Sequence, residues 1–202
     1  MVKVVCLNWR DYLGMGDRYV ANLRGMVRRN LTLPYEFLCV TERDVPDGRT
    51  GWWNKLSLLE LFDGEVLFFD LDVVITQNID CLVEAGRIDP GRLWARDDFS
   101  YSRVNPKRGL DRDFLRTLGG PGTINSSVMY WRGRRHIEPL AGAHGDQNAI
   151  TAALWPDGIG LFGNDVIHSY KYHPGALAPV VVFHGEPKPH QVGDAWVRDH
   201  WQ

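Results

Sequence analysis

Cysteine is scarce in this chain, with three in 202 residues at positions 6, 39 and 81. An odd, widely spaced set does not read as the disulfide framework of a small secreted domain. Cys6 and Cys39 sit inside apolar runs of core-strand type, so free buried thiols and a reducing, cytoplasmic setting are expected. Long apolar runs are missing too: none approaches the roughly 18 residues that cross a bilayer. The opening MVKVVCLNWR has no apolar core of a secretion signal. No integral membrane association is expected, and any membrane contact would be peripheral. Charge of one sign is also lacking, since 23 Lys and Arg stand against 25 Asp and Glu, a formal net charge of −2. Phosphate-backbone binding draws on a basic excess, so nucleic acid is not an expected partner, although Arg132, Arg134 and Arg135 form a local basic cluster. Internal repeats, linkers and low-complexity stretches are absent.

What remains is a globular composition, with 44% hydrophobic, 24% charged and 11% aromatic residues. That supports one substantial core and a single compact domain over residues 1–202. Eight tryptophans are more than a core of this size takes up, so some are expected to line a groove.

Val2 to Leu7 is apolar except for Lys3, the pattern of a strand buried on both faces. Asp17 is placed to cap a helix carrying Tyr19, Val20, Leu23, Met26 and Val27 at helical spacing and ending in Arg28, Arg29 and Asn30. Tyr35 to Val40 reads as a second strand. Trp52, Leu56, Leu59 and Phe62 form another helical stripe closed at Asp63-Gly64, and Val66 to Phe69 is a third strand leading into Asp70. This alternation predicts a mostly parallel central sheet flanked by helices, the α/β class, in which ligands bind beyond the carboxyl ends of the strands. Regularity then weakens. Leu93 to Ala95 and Val128 to Trp131 read as strands, Asp146 to Leu154 as a helix and Val180 to Phe183 as the last strand. Ser100 to Gly122 reads as a mobile loop, with a turn or two of helix within Asp111 to Leu118. Gly119-Gly120-Pro121-Gly122 lacks the Lys-Ser/Thr of a phosphate loop and reads as a hinge. The tail from Gly185 is expected to wrap without forming an element.

Asp70 and Asp72 flank Leu71 at a strand end, so a continuing pleat would turn both carboxylates to one side. Adjacent carboxylates repel unless a cation lies between them, and oxygen donors select hard ions such as Mg²⁺ or Mn²⁺. The plainer reading is a pair of carboxylates capping a turn. The run Phe68-Phe69-Asp70-Leu71-Asp72-Val73-Val74 also resembles the first motif of haloacid-dehalogenase-type phosphatases, which would make Asp70 a nucleophile. That motif usually lies on the first strand, whereas here two strand-helix units precede it, and Gly145-Asp146-Gln147 lacks the later Asp expected downstream.

The order of segments from Leu7 to His190 instead resembles the GT-A glycosyltransferases of family 8, the glycogenin and galactosyltransferase-like group. The likeness rests on Tyr19-Val20, Lys55-Leu56, the Asp70-Leu71-Asp72 motif, Asn78-Ile79-Asp80, Asn125-Ser126-Ser127-Val128, Gly145-Asp146-Gln147 and His184-Gly185-Glu186-Pro187-Lys188-Pro189. It departs where Ser127 replaces a glycine, and where Val182 stands at the usual place of the metal-binding histidine. The chain is also short for that family, so a reduced acceptor region is expected.

The resemblance implies a GT-A fold and transfer of a hexose from a nucleotide diphosphate sugar, a UDP-sugar by class, to a glycan, lipid-linked or protein acceptor, with retention of configuration. Mn²⁺ or Mg²⁺ would be held by Asp70, Asp72 and His184. Asn8, Tyr19, Lys55, Asp70 and Lys188 would bind the donor, Lys188 by offsetting charge on the departing diphosphate. Asp146, Gln147 and Asn125 would lie at the reacting sugar. Each has an ordinary alternative: Tyr19 in the core, Lys55 or Lys188 as surface lysines, Asn125 in a turn, Asp146 as a helix cap beside a surface Gln147, His184 hydrogen-bonded in a loop. Asp97 and Asp98 are weaker donor-sugar candidates. Trp52 and Trp53 could form an aromatic platform, with Trp52 the one expected to pack by helical position. His136, His144, His168 and His173 show no metal-ligand spacing. A nucleotide-sugar-binding relative without transfer activity is the non-enzymatic alternative.

Overall fold

Four consecutive residues of the third strand show how the sheet is built: Val66 and Phe68 enter one core and Leu67 and Phe69 the other. A strand whose two faces are both covered needs apolar side chains at every position, because successive side chains alternate sides. The computed structural model describes residues 1–45, 49, 51–99, 123–139, 145–175 and 177–202. The loop, short helix and hinge expected within 100–122, and His144, lie outside them.

The elements, in chain order, are β1 (Val2–Leu7), α1 (Gly16–Asn30), β2 (Tyr35–Val40), α2 (Asn54–Leu61), β3 (Glu65–Phe69), β4 (Val73–Ile75), α3 (Asp80–Ile88), β5 (Leu93–Asp97), β6 (Ile124–Arg132), α4 (Asp146–Leu154), β7 (Ile159–Leu161), β8 (Ile167–Ser169), β9 (Val180–Val182) and α5 (Ala195–His200). Six strands form a mixed sheet in the order β2-β1-β3-β6-β5-β7. Its β1–β2, β1–β3 and β5–β7 pairs are parallel, while β6 runs antiparallel between β3 and β5. A second sheet, β4-β9-β8, was not expected, because three-residue strands such as Ile167–Ser169 carry too little pattern to stand out.

One core lies between the large sheet and the α1 side, joined by the small sheet and α5; the other lies on the α2 and α4 side. Helix α1 starts at Gly16, with Asp17 inside its first turn rather than capping it. The carboxylate that accepts from the Gly16 N–H, at 2.7 Å, belongs to Asp11. The tail from Gly185 is more regular than expected, forming a 3₁₀ turn over Pro189–Gln191 and then α5. None of the helices is long and apolar enough to cross a membrane among the described residues.

Candidate functional site

Strand β3 stops at Phe69, where the Asp70 N–H donates to the Ser127 carbonyl of β6 at 2.8 Å. The pleat therefore ends before the carboxylates, and they take different partners instead of facing one side together. Asp70 turns to Lys55 in the first turn of α2, whose Nζ lies 2.8 Å from Oδ1 and 2.9 Å from Oδ2. Asp72 turns to the segment after β9, where Lys188 Nζ donates to its Oδ2 at 2.5 Å and to the Phe183 carbonyl at 3.3 Å. The Tyr12 hydroxyl donates to the same Asp72 oxygen at 3.0 Å.

A third carboxylate completes the cluster. Asp146 opens α4, where a negative charge is favoured by the helix dipole. Its Oδ2 lies 3.9 Å from Lys55 Nζ and accepts from Ser126 Oγ at 2.5 Å. Ser126 Oγ accepts in turn from Lys55 Nζ at 3.1 Å, so one buried hydroxyl ties the ammonium to the carboxylate. Lys55, Asp72, Asp146 and Lys188 are 7%, 7%, 3% and 9% exposed, and buried charges are tolerated when so paired. Burial alone would lower the Lys55 pKa, but Asp70 and Asp146 outweigh it and raise the value. The pKa of Asp146 is raised by burial, and that of Asp72 by burial and by the charge of Asp70. Burial and the Asp72 carboxylate push the Tyr12 phenol well up, which keeps it a hydrogen-bond donor.

The other expected residues are less uniformly placed. The Asn8 side chain accepts from the Tyr12 N–H at 2.9 Å and so shapes the loop after β1. That loop holds Arg10, Asp11 and Leu13 at φ of 49°, 51° and 56°, left-handed conformations that cost non-glycine residues energy and gather where a ligand or switch is served. Tyr19 is fully buried against Tyr12 and Trp201, its hydroxyl 2.6 Å from His190 Nδ1, so its ring belongs to the core and offers no face to a base. Asn125 is buried within β6, its Oδ1 accepting from the Ser127 N–H at 3.1 Å. Gln147 is half-buried beside Asp146 on α4. The structure does not bring His184 into the cluster. Its Nε2 lies 2.7 Å from Ser169 Oγ, and its ring stacks on Phe99 at 5.5 Å. Trp52 reverses expectation: it is 70% exposed on the turn before α2, its ring 3.9 Å from where a Cβ on Gly145 would stand. Trp53 is the one packed into the core. Asp98 lies beside β6, its N–H donating to the Thr123 carbonyl at 2.9 Å.

Sequence reasoning missed Tyr12 and Ser126. Ser126 lies inside the Asn125-Ser126-Ser127-Val128 run, where a serine within a strand carries no charge or period to single it out, and Tyr12 follows the strand end by too few residues to show a period.

The donor set suits an oxygen-coordinated divalent ion in part. Asp70 and Asp72 supply hard oxygen donors, and with Asp146 they outnumber the two ammoniums, leaving the cluster net negative. The described residues contain no group of three His, Cys, Asp or Glu side chains that could hold an ion, so a bound ion would take its remaining ligands from substrate or water.

No protein-family model matches the sequence and no curated protein does, but solved structures match the fold. An active-site mutant of LgtC aligns at TM-score 0.66 and 13% identity, covering 98% of this chain and 93% of that one. Galactosyltransferase LgtC in complex with donor and acceptor sugar analogues aligns at 0.62 and 14%, covering 93% and 88%. Mouse xyloside xylosyltransferase 1 aligns at 0.58 and 8%, covering 93% and 100%. At such identities the likeness is one of fold: this chain has the GT-A architecture of those glycosyltransferases.

Proposed function

We propose that the chain is a glycosyltransferase that moves a hexose from a nucleotide diphosphate sugar, a UDP-sugar by class, to a hydroxyl of a glycan, lipid-linked or protein acceptor, with retention of configuration. The observation that carries this is the cluster of Lys55, Asp70, Asp72, Asp146 and Lys188 at the carboxyl end of β3, where sheets of this kind take their ligands. Two buried ammoniums beside three carboxylates suit a substrate that carries both a diphosphate and a cation.

In transfer, the bond between the anomeric carbon and the diphosphate oxygen breaks and the diphosphate leaves with the electron pair. The acceptor oxygen bonds to the anomeric carbon and gives up its proton to the departing diphosphate oxygen. Lys188 and Lys55 answer the charge that builds on the departing diphosphate. A divalent ion held by Asp70 and Asp72 would supply further charge stabilisation at the same oxygens. Asp146, held by Ser126, and Gln147 stand at the sugar end, where positive charge develops on the ring. Asn125, buried in β6, fixes the backbone that carries Ser126 and Ser127.

Trp52, exposed beside Gly145, is the aromatic platform we propose for the acceptor. Trp52→Ala is expected to leave the melting temperature within a degree or two, since exposed substitutions cost about 0.5 kcal/mol or less, while raising the acceptor KM severalfold; an unchanged KM removes Trp52 from the site. The reading as a whole is tested by incubating the protein with Mn²⁺ and a panel of UDP-hexoses and following release of UDP. Turnover that stops in Asp146→Asn supports transfer. Tight nucleotide binding without turnover makes the chain a nucleotide-sugar binder, and hydrolysis of a phosphomonoester abolished by Asp70→Asn would restore the phosphatase reading.

A further inference from the structure

Cys6 and Cys39 fall opposite one another in the parallel pairing of β1 and β2. Both point to the α1 face: Cys6 belongs to that core, and Cys39 packs against it. Neither takes part in the cluster described above, and both are free thiols. Neighbouring strands stand roughly 4.8 Å apart, within the Cα separation of about 4.4 to 6.8 Å that a disulfide spans.

The two thiols differ in access and in acidity. Cys6 is fully buried, whereas Cys39 is partly exposed on β2. The neighbouring Cys6 thiol, the Asn8 backbone N–H and the nearby Arg24 guanidinium together outweigh burial and lower the Cys39 pKa, whereas the neighbouring Cys39 and burial raise that of Cys6. Arg24 also lies 5.0 Å over the ring of Phe37, two residues before Cys39, which keeps its charge on this face of the strand.

We infer that Cys6 and Cys39 are a reversible disulfide pair that closes by exchange with small-molecule disulfides such as oxidised glutathione, Cys39 attacking and Cys6 resolving. Cys39 thiolate attacks one sulfur of the small disulfide, forming a mixed disulfide and releasing one thiolate. Cys6 then loses its proton and attacks Cys39 Sγ, expelling the second thiolate. Two protein thiols become one disulfide, and one small disulfide becomes two thiols. The difference in access fits these roles: Cys39, partly exposed, can be reached by the small disulfide, while buried Cys6 lies beside it and needs to give up its proton only once the mixed disulfide has formed. The product would join β1 and β2 two residues before Asn8, whose N–H already donates to the Val40 carbonyl of β2 at 2.8 Å.

The test treats the full chain with oxidised glutathione and maps its thiols by peptide mass spectrometry, in wild type and in Cys81→Ser, which removes the exposed third thiol. The Cys81→Ser protein should lose both remaining thiols, carry no glutathione, and yield a linked Cys6–Cys39 peptide that dithiothreitol reopens. Cys6→Ser should trap a stable glutathione adduct on Cys39, and Cys39→Ser should leave Cys6 unreacted. Two free thiols persisting in Cys81→Ser, or a stable adduct on Cys39 with Cys6 present, overturns the proposal.

Discussion

Lys55 is held by three groups at once, Asp70, Asp146 and Ser126, and its protonation depends on them more than on solvent. Ser126 is the small member of that set and the easiest to probe. Ser126→Ala removes the donor to Asp146 and leaves a buried carboxylate short of a partner, which costs about 1–3 kcal/mol. A urea titration should show that loss as a lower midpoint with an unchanged slope; an unchanged midpoint would mean that Asp146 finds another donor. At this scale the charged residues were legible from local pattern: Asp70 and Asp72 close an apolar run, and Asp146 opens a helix. Their pairing was not, because which lysine meets which carboxylate depends on where the pleat ends, and a strand ending at Phe69 looks the same in sequence as one ending at Asp72. Tyr19 shows the converse. Its helical spacing marked a core position while the resemblance implied a ligand position, and the structure packs it, fully buried, against Trp201.

Between elements, α3 is fixed to the sheet by close contact and by charge. A Cβ on Gly86 would stand 2.0 Å from the ring of Tyr130, a fully buried β6 residue whose hydroxyl donates to Glu65 at 3.0 Å. Gly86→Ala should therefore destabilise the protein by about 1–3 kcal/mol through overpacking, visible as a lower melting temperature; no change would mean that α3 shifts freely. Glu65 also accepts from Arg87 of α3 at 2.7 Å and 2.9 Å, and the Arg87 hydrogen bonds lower its pKa from 4.5 to about 2. A depressed folded-state pKa means stability that is full above the unfolded value and lost as pH falls. The stability difference between wild type and Glu65→Gln should hold steady above pH 4.5 and shrink from there toward pH 2; a difference independent of pH across that window contradicts the pairing. Long periodic segments such as α1, β2 and α4 were legible in sequence because each repeats its pattern over six residues or more. Strands β4, β7 and β8, of three residues each, were not, since their burial comes from neighbours rather than from a pattern of their own.

For the whole molecule, the alternation of strand and helix through β3 settles the α/β class, and the in-order motifs pointed to the architecture that the solved structures share. What the motifs did not show is where His184 would sit, because a histidine in a loop is placed by its packing partners, here Ser169 and Phe99. The account thus assigns the diphosphate and any ion to Asp70, Asp72, Lys55 and Lys188. The most direct measurement is isothermal titration of UDP into wild type, Asp70→Asn and Asp72→Asn, each with Mn²⁺ and with EDTA. The account predicts binding to wild type that weakens by roughly tenfold or more, about 1.4 kcal/mol, when the ion is removed or either carboxylate is neutralised. UDP affinity that is the same in all six titrations would contradict it.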